Sequence, residues 1–117
     1  MKGEQMITIE KLNEYGADTK SGLARCMGNE ILYLRLVSSA ADQTEFEKLK
    51  GALEANDLKG AFEAAHALKG VLGNLSLTPL YEKASEMTEL LRKQTEMDYS
   101  PLLTQILSLR EELRKLI

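Results

Sequence analysis

Only two prolines, Pro79 and Pro101, occur in the 117 residues of this chain, and both stand where a helix would begin. Proline is tolerated in the first turn of a helix, and Thr78 before Pro79 is a suitable N-cap. Elsewhere leucine, alanine, glutamate and lysine prevail, whereas the β-branched residues valine and isoleucine are scarce. Since this is the composition of helices, the chain is predicted to be all-α.

Capping residues and apolar spacing divide the chain into two short helices followed by four long ones. The predicted N-caps are Thr8, Asp18, Asn29, Asp57 and Thr78. Gly16 and Gly28 suit the ends of the short helices. The first two long helices are predicted over about 29–56 and 57–74. The third begins at Thr78, and residues 97–101 end it and begin the fourth.

Four long helices with short connections predict an antiparallel four-helix up-down bundle, with the short helices at its N-terminal end. We expect one domain over 1–117, in which 1–17 form an N-terminal extension and 18–117 the bundle. In the last helix, apolar residues recur at spacings of four and three, at Leu102, Ile106, Leu109, Leu113 and Leu116. Such a seam packs within a bundle or pairs between chains, and we expect a monomer.

Composition excludes several classes of partner. A net charge of −3 and a pI near 5.2 give no basic surface for nucleic acid. No apolar run approaches the ~20 residues of a membrane-spanning helix, so no membrane association is expected. The single cysteine, Cys26, can form no internal disulfide, which fits a cytoplasmic location.

The only histidine, His66, is predicted to lie on an exposed helix face. At about 100° per residue, the apolar residues of 58–72 fall within about 80° of one another. They are Leu58, Ala61, Ala65, Leu68 and Leu72. The histidine lies about 120° from the centre of that stripe. Its face also carries Lys59, Phe62, Glu63, Lys69, Gly70 and Gly73.

This face has the groups that a phosphoryl acceptor needs. A neutral imidazole nitrogen is a good nucleophile near physiological pH. Lys69, three residues further on, could donate a charge-assisted hydrogen bond to an anion attached there. Gly70 and Gly73 cost helix stability, and the simplest gain is close access for another protein. For Lys59 an ordinary solvated face is favoured over a functional role, whereas Phe62 equally fits core packing.

The sequence lacks the features needed for a zinc site, a hydrolase triad or a nucleotide-binding loop. One histidine and one distant cysteine cannot supply the about four ligands that zinc requires. No strand–turn–helix elbow is visible to hold a hydrolase triad. The segment 70–74 lacks the Gly-Lys-Ser/Thr pattern of a phosphate-binding loop. The chain therefore has no evident means of binding ATP and phosphorylating itself.

The sequence His66-Ala67-Leu68-Lys69-Gly70, followed by Gly73-Asn74-Leu75, closely resembles the histidine-containing phosphotransfer (HPt) domain of multistep phosphorelays. The segments 22–30 and 53–58 resemble that family's entry segment and the turn before its histidine helix. The resemblance extends over about 18–117. It implies a phosphocarrier acting between receiver domains or with a hybrid histidine kinase.

In this family, the histidine attacks a receiver's aspartyl phosphate through Nε2, and the reaction is reversible. The resemblance assigns that role to His66, phosphoryl stabilisation to Lys69, and close docking of the receiver to Gly70. It implies no cofactor in this chain, because the catalytic Mg²⁺ belongs to the receiver.

Two positions depart from the family pattern. Thr88 stands where many members have Glu or Gln to orient the imidazole through Nδ1, and Ser76 stands where glycine is frequent. Two other functions also fit the sequence: a helical adaptor that binds a receiver or kinase without phosphotransfer, and the substrate domain of a chemotaxis-type histidine kinase. Met1 favours a free-standing protein over a domain of a larger kinase.

Overall fold

The computed structural model describes residues 6–117, and within this range the only regular secondary structure is helical. The helices are α1 (Ile9–Tyr15), α2 (Thr19–Arg25), α3 (Glu30–Ala41), α4 (Glu45–Glu54), α5 (Leu58–Asn74), α6 (Thr78–Arg92) and α7 (Ser100–Arg114). The predicted all-α class is therefore confirmed. Over the same range, no helix is both long and apolar enough to cross a membrane.

Helix α5 lies between α4 and α6, while α7 packs against α6 and α3. The apolar stripe predicted for α5 faces the core: Ala61, Ala65, Leu68 and Leu72 are buried, and Leu58 is half-buried. The seam of α7 is also used within the chain, because Leu102, Ile106 and Leu113 are buried. The side of α5 opposite its stripe is thereby left to solvent.

The two short helices begin at the predicted caps. The hydroxyl of Thr8 accepts a hydrogen bond from Lys11 N at 3.1 Å, and Asp18 Oδ1 accepts one from Ser21 N at 3.2 Å. Gly16 ends α1 with a φ of 109°, a left-handed conformation that favours glycine. The capping residues in the local sequence thus determine where α1 and α2 begin.

Helix α2 is fixed beside the turn between α5 and α6. The backbone N–H of Asp18 donates to Ser76 O at 2.9 Å, and the Tyr33 hydroxyl donates to Leu75 O at 2.9 Å. Gly22 permits this arrangement, since a Cβ there would lie 2.4 Å from Cε1 of the buried Tyr33 ring. Helix α2 consequently forms one wall beside the exposed face of α5.

The single helix predicted over 29–56 is wrong, because the structure divides it into α3 and α4 at residues 42–44. The cause is a buried side chain from α7. Arg110 Nε donates to Ala41 O at 2.9 Å, so the last carbonyl of α3 has a partner outside the helix. The same guanidinium donates to Glu47 Oε2 at 2.5 Å and lies 4.6 Å from the Phe46 ring centroid.

The start of α6 also differs in detail from the prediction. Leu77 occupies the N-cap, and the Thr78 hydroxyl donates to Ser76 O at 3.3 Å instead of capping the helix. Pro79 remains within the first turn, so the predicted helix start is confirmed while its capping contact is wrong. At the other end, α6 stops at Arg92, because Gln94 adopts a left-handed backbone with a φ of 55°.

We expect Arg110→Met to destabilise the protein by about 1–3 kcal/mol, because the carbonyl of the buried Ala41 loses its donor. Methionine retains an apolar stem that can still cover Phe46. The free energy of unfolding should be measured by urea titration, followed by circular dichroism.

Glu47→Gln is the control for that variant. The Glu47 side chain is 64% exposed, so removing its charge should cost less than about 1 kcal/mol. The hydrogen bond from Arg110 lowers the pKa of Glu47, so the pair stabilises the fold above the unfolded-state pKa and loses that contribution as the pH falls through the folded-state pKa. Equal losses in both variants at neutral pH would assign the stabilisation to the ion pair and contradict the capping role.

Candidate functional site

His66 lies near the middle of α5 and is exposed. Asp57 caps this helix as predicted, with Oδ1 accepting a hydrogen bond from Gly60 N at 3.0 Å. The neighbours Ala64 and Ala65 are buried, because they lie on the core-facing side. The imidazole therefore projects from a well-anchored helix and is accessible to a partner.

An open groove runs alongside the histidine. Its α5 side is formed by His66, Lys69, Gly70, Gly73 and Asn74, and its other walls come from α2 and from the α5–α6 turn with the start of α6. Those walls contribute Asp18, Ser21, Arg25, Ser76, Thr78 and Tyr81. The structure thus brings together four of the predicted site residues, and it adds polar groups from two other elements.

Arg25 is the main residue of this groove that the sequence reasoning missed. Its Nη1 donates a hydrogen bond to the carbonyl of Gly73, which ties α2 to the C-terminal turn of α5. The groove consequently has a second cation in addition to Lys69. No spacing along the sequence indicates this, because Arg25 and Gly73 meet only through tertiary packing.

The two glycines beside the histidine have different surroundings. A Cβ at Gly70 would meet nothing within 4 Å, so this position is open and fits the proposed access for a partner. A Cβ at Gly73 would lie 3.0 and 3.1 Å from Cε1 and Cδ1 of Tyr81. At Gly73, close packing of the Tyr81 ring is therefore a sufficient reason for glycine.

Phe62 stacks on the histidine. The two ring centroids are 5.6 Å apart with an interplanar angle of 18°, and the guanidinium carbon of Arg92 lies 5.1 Å from the Phe62 centroid. Lys59 lies with Phe62 and Arg92 along a shallow groove between α5 and α6. Glu63 instead borders a groove between α4 and α5, so neither Lys59 nor Glu63 lines the groove that holds His66 and Lys69.

Thr88 is fully buried in α6, and its hydroxyl donates to Ala84 O at 2.7 Å. Within residues 6–117, no hydrogen bond joins Thr88 to His66. The hydroxyl proton is committed to the helix backbone, although the oxygen keeps acceptor capacity. A role for Thr88 in orienting the imidazole stays a prediction.

Ser76 shows why glycine would suit its position. Its φ is 55°, in the left-handed region that glycine adopts at little cost. The Ser76 carbonyl nevertheless accepts the hydrogen bond from Asp18 N, so the turn keeps its contact with α2. Serine at this position therefore leaves the groove intact.

The part of the chain that the structure describes has no group of three or more His, Cys, Asp or Glu side chains that could hold a metal ion. Cys26 is a buried free thiol. The groove itself presents an accessible imidazole with a lysine one helical turn away.

Comparison with protein families matches the Hpt domain over residues 35–116. This range covers more than half of the chain, and the protein accordingly belongs to the Hpt domain family. Hpt domains take part in phosphotransfer in two-component signalling and interact with receiver domains or kinases. Comparisons with curated proteins and with solved structures gave no significant match. The family match begins inside α3, so the likeness of 22–30 to the family's entry segment stays a prediction.

Proposed function

We propose that this protein is a phosphocarrier that accepts a phosphoryl group on His66 from the aspartyl phosphate of one receiver domain and passes it to another. The observation that carries the proposal is the exposed imidazole, with Lys69 one turn away and open space at Gly70. Family membership supports this interpretation, since Hpt domains act in two-component signalling.

In the proposed step, the Nε2 lone pair of a neutral imidazole forms the P–N bond. The P–O bond to the receiver's aspartate breaks, and its electron pair leaves with the carboxylate. The imidazole proton stays on Nδ1, so no external base is required. The ammonium of Lys69 donates a charge-assisted hydrogen bond to a phosphoryl oxygen, which stabilises charge in both the transition state and the phosphorylated protein.

The receiver supplies the rest of the catalysis. A Mg²⁺ ion bound by the receiver would neutralise charge on the phosphoryl oxygens, and the proposal therefore assigns no cofactor to this chain. Gly70 allows the receiver to approach the imidazole closely. The exposed residues Lys59 and Glu63 form the outer part of the proposed docking surface, and the half-buried Phe62 lies at its border.

The proposal includes the four-helix bundle, the monomeric state and the cytoplasmic location expected from the sequence. The three-residue turn between α5 and α6 supports an antiparallel arrangement of the long helices as a four-helix bundle. Burial of the α7 seam within the chain supports a monomer. A buried, free Cys26 fits a reducing cytoplasmic location.

The test is intact-mass spectrometry, under mildly alkaline conditions, after mixing the protein with a phosphorylated receiver domain and Mg²⁺. We expect a rapid gain of one acid-labile phosphoryl group. Binding of several receivers without any mass gain would contradict phosphotransfer and favour the adaptor. Labelling by an isolated kinase catalytic domain and ATP, with no receiver present, would instead favour a kinase substrate domain.

A further inference from the structure

We propose that Phe62 is a positioning residue for the imidazole of His66, and that Arg92 in turn holds Phe62 in place. This inference rests on the proposed function, since it assigns a part in phosphotransfer to residues outside the groove. It also gives Phe62 a role within the protein that differs from direct contact with a partner.

The geometry is that of a short stack across two helices. Phe62 and His66 are four residues apart on α5, a spacing that places them on the same helix face. Their rings are nearly parallel, at 18°, with centroids 5.6 Å apart, which is an offset stack. Arg92, at the end of α6, lies over the Phe62 ring with its guanidinium carbon 5.1 Å from the centroid.

The imidazole needs such a partner because hydrogen bonds do not orient it here. In residues 6–117, the structure shows no hydrogen bond to the His66 ring, and the Thr88 hydroxyl donates to Ala84. The final torsion of a histidine side chain is broad, so an exposed ring samples many orientations. A flat partner against one face restricts the ring plane while it leaves both nitrogen edges open.

Ring orientation matters for the reaction. Transfer requires the nitrogen lone pair to point along the line of attack on phosphorus, and a preset orientation reduces the entropy lost on reaching that geometry. Phe62 can hold the ring because it is itself half-buried, beside Leu58 and Leu91 in the groove between α5 and α6. Arg92 closes that groove from the α6 side.

The test compares Phe62→Leu, which keeps an apolar side chain without a flat ring, with the conservative Phe62→Tyr. We expect the transfer rate constant at saturating phosphorylated receiver to fall about two- to tenfold in Phe62→Leu. The receiver concentration at half-maximal rate should be unchanged. Phe62→Tyr should retain the wild-type rate constant, and Arg92→Gln should lower it in the same direction as Phe62→Leu.

Nuclear magnetic resonance supplies a readout that needs no receiver. The carbon-bound protons of the His66 ring should lose their ring-current shift in Phe62→Leu and retain it in Phe62→Tyr. Thermal unfolding confirms that each variant is folded. Together, a lost shift and a lower rate constant at unchanged half-maximal concentration would establish positioning.

The possible failures are distinguishable. If the wild-type protein accepts the phosphoryl group and Phe62→Leu does so with the same rate constant, the positioning role alone is overturned. The positioning role would also be overturned if Phe62→Leu changed only the receiver concentration at half-maximal rate, because Phe62 would then be a docking residue. Absence of transfer from every receiver to the wild-type protein would overturn the proposed function, and the assignment of Phe62 with it.

Discussion

Replacing His66 by glutamine should abolish phosphoryl acceptance completely and leave the protein folded. Glutamine has no nucleophilic nitrogen, because its amide lone pair is delocalised, so no P–N bond can form. Since His66 is the only histidine in the chain, no second imidazole can take its place. The measurement is intact-mass spectrometry after incubation with a phosphorylated receiver and Mg²⁺, in which the variant should show no mass gain.

The fold should survive because His66 is exposed and contributes little to the core. Its main contact is the stack with Phe62, whose loss costs about 0.5–1.5 kcal/mol, against a total stability of roughly 5–15 kcal/mol. Lys50→Gln on α4 is a suitable control, because it also introduces glutamine at an exposed position within a helix. The control should accept phosphate at the wild-type rate. A labelled His66→Gln protein would remove the site assignment entirely.

The parts of the fold that depend on neighbouring residues were predictable from the sequence. The stripe of α5 needs only a period of 3.6 residues, and the caps at Thr8, Asp18 and Asp57 need only one short polar side chain each. The break between α3 and α4 was not predictable. It depends on Arg110, which reaches Ala41 from 69 residues further along the chain.

The candidate site also has one part that was predictable from local sequence and another that depends on tertiary packing. His66, Lys69 and Gly70 share one helix, so helical spacing was enough to place them together. The stack of Phe62 on His66 could also have been inferred from their separation of four residues. Arg25 and Arg92 come from α2 and α6, and no local pattern indicates which side chains these helices bring to the site.

Gly70→Leu should slow phosphotransfer from the receiver by about tenfold or more, while the helix becomes equally or more stable. A Cβ at this position meets nothing within 4 Å inside the protein, so the leucine side chain would extend into the space that the receiver needs. A small displacement of the reacting atoms can cost up to ~100-fold in rate. The receiver-dependent rate should be measured by rapid quenching, and helix content by circular dichroism.

Gly51→Leu is a closely matched control for this prediction. Gly51 is also an exposed glycine within a helix, and a Cβ there likewise meets nothing within 4 Å. Both substitutions remove glycine from a helix interior and should raise stability by about 0.5–1 kcal/mol. Only Gly70 lies beside His66, so only Gly70→Leu should slow transfer. Equal rates in the two variants would show that glycine at position 70 provides no access, and would direct the search for the docking surface to the α2 wall of the groove.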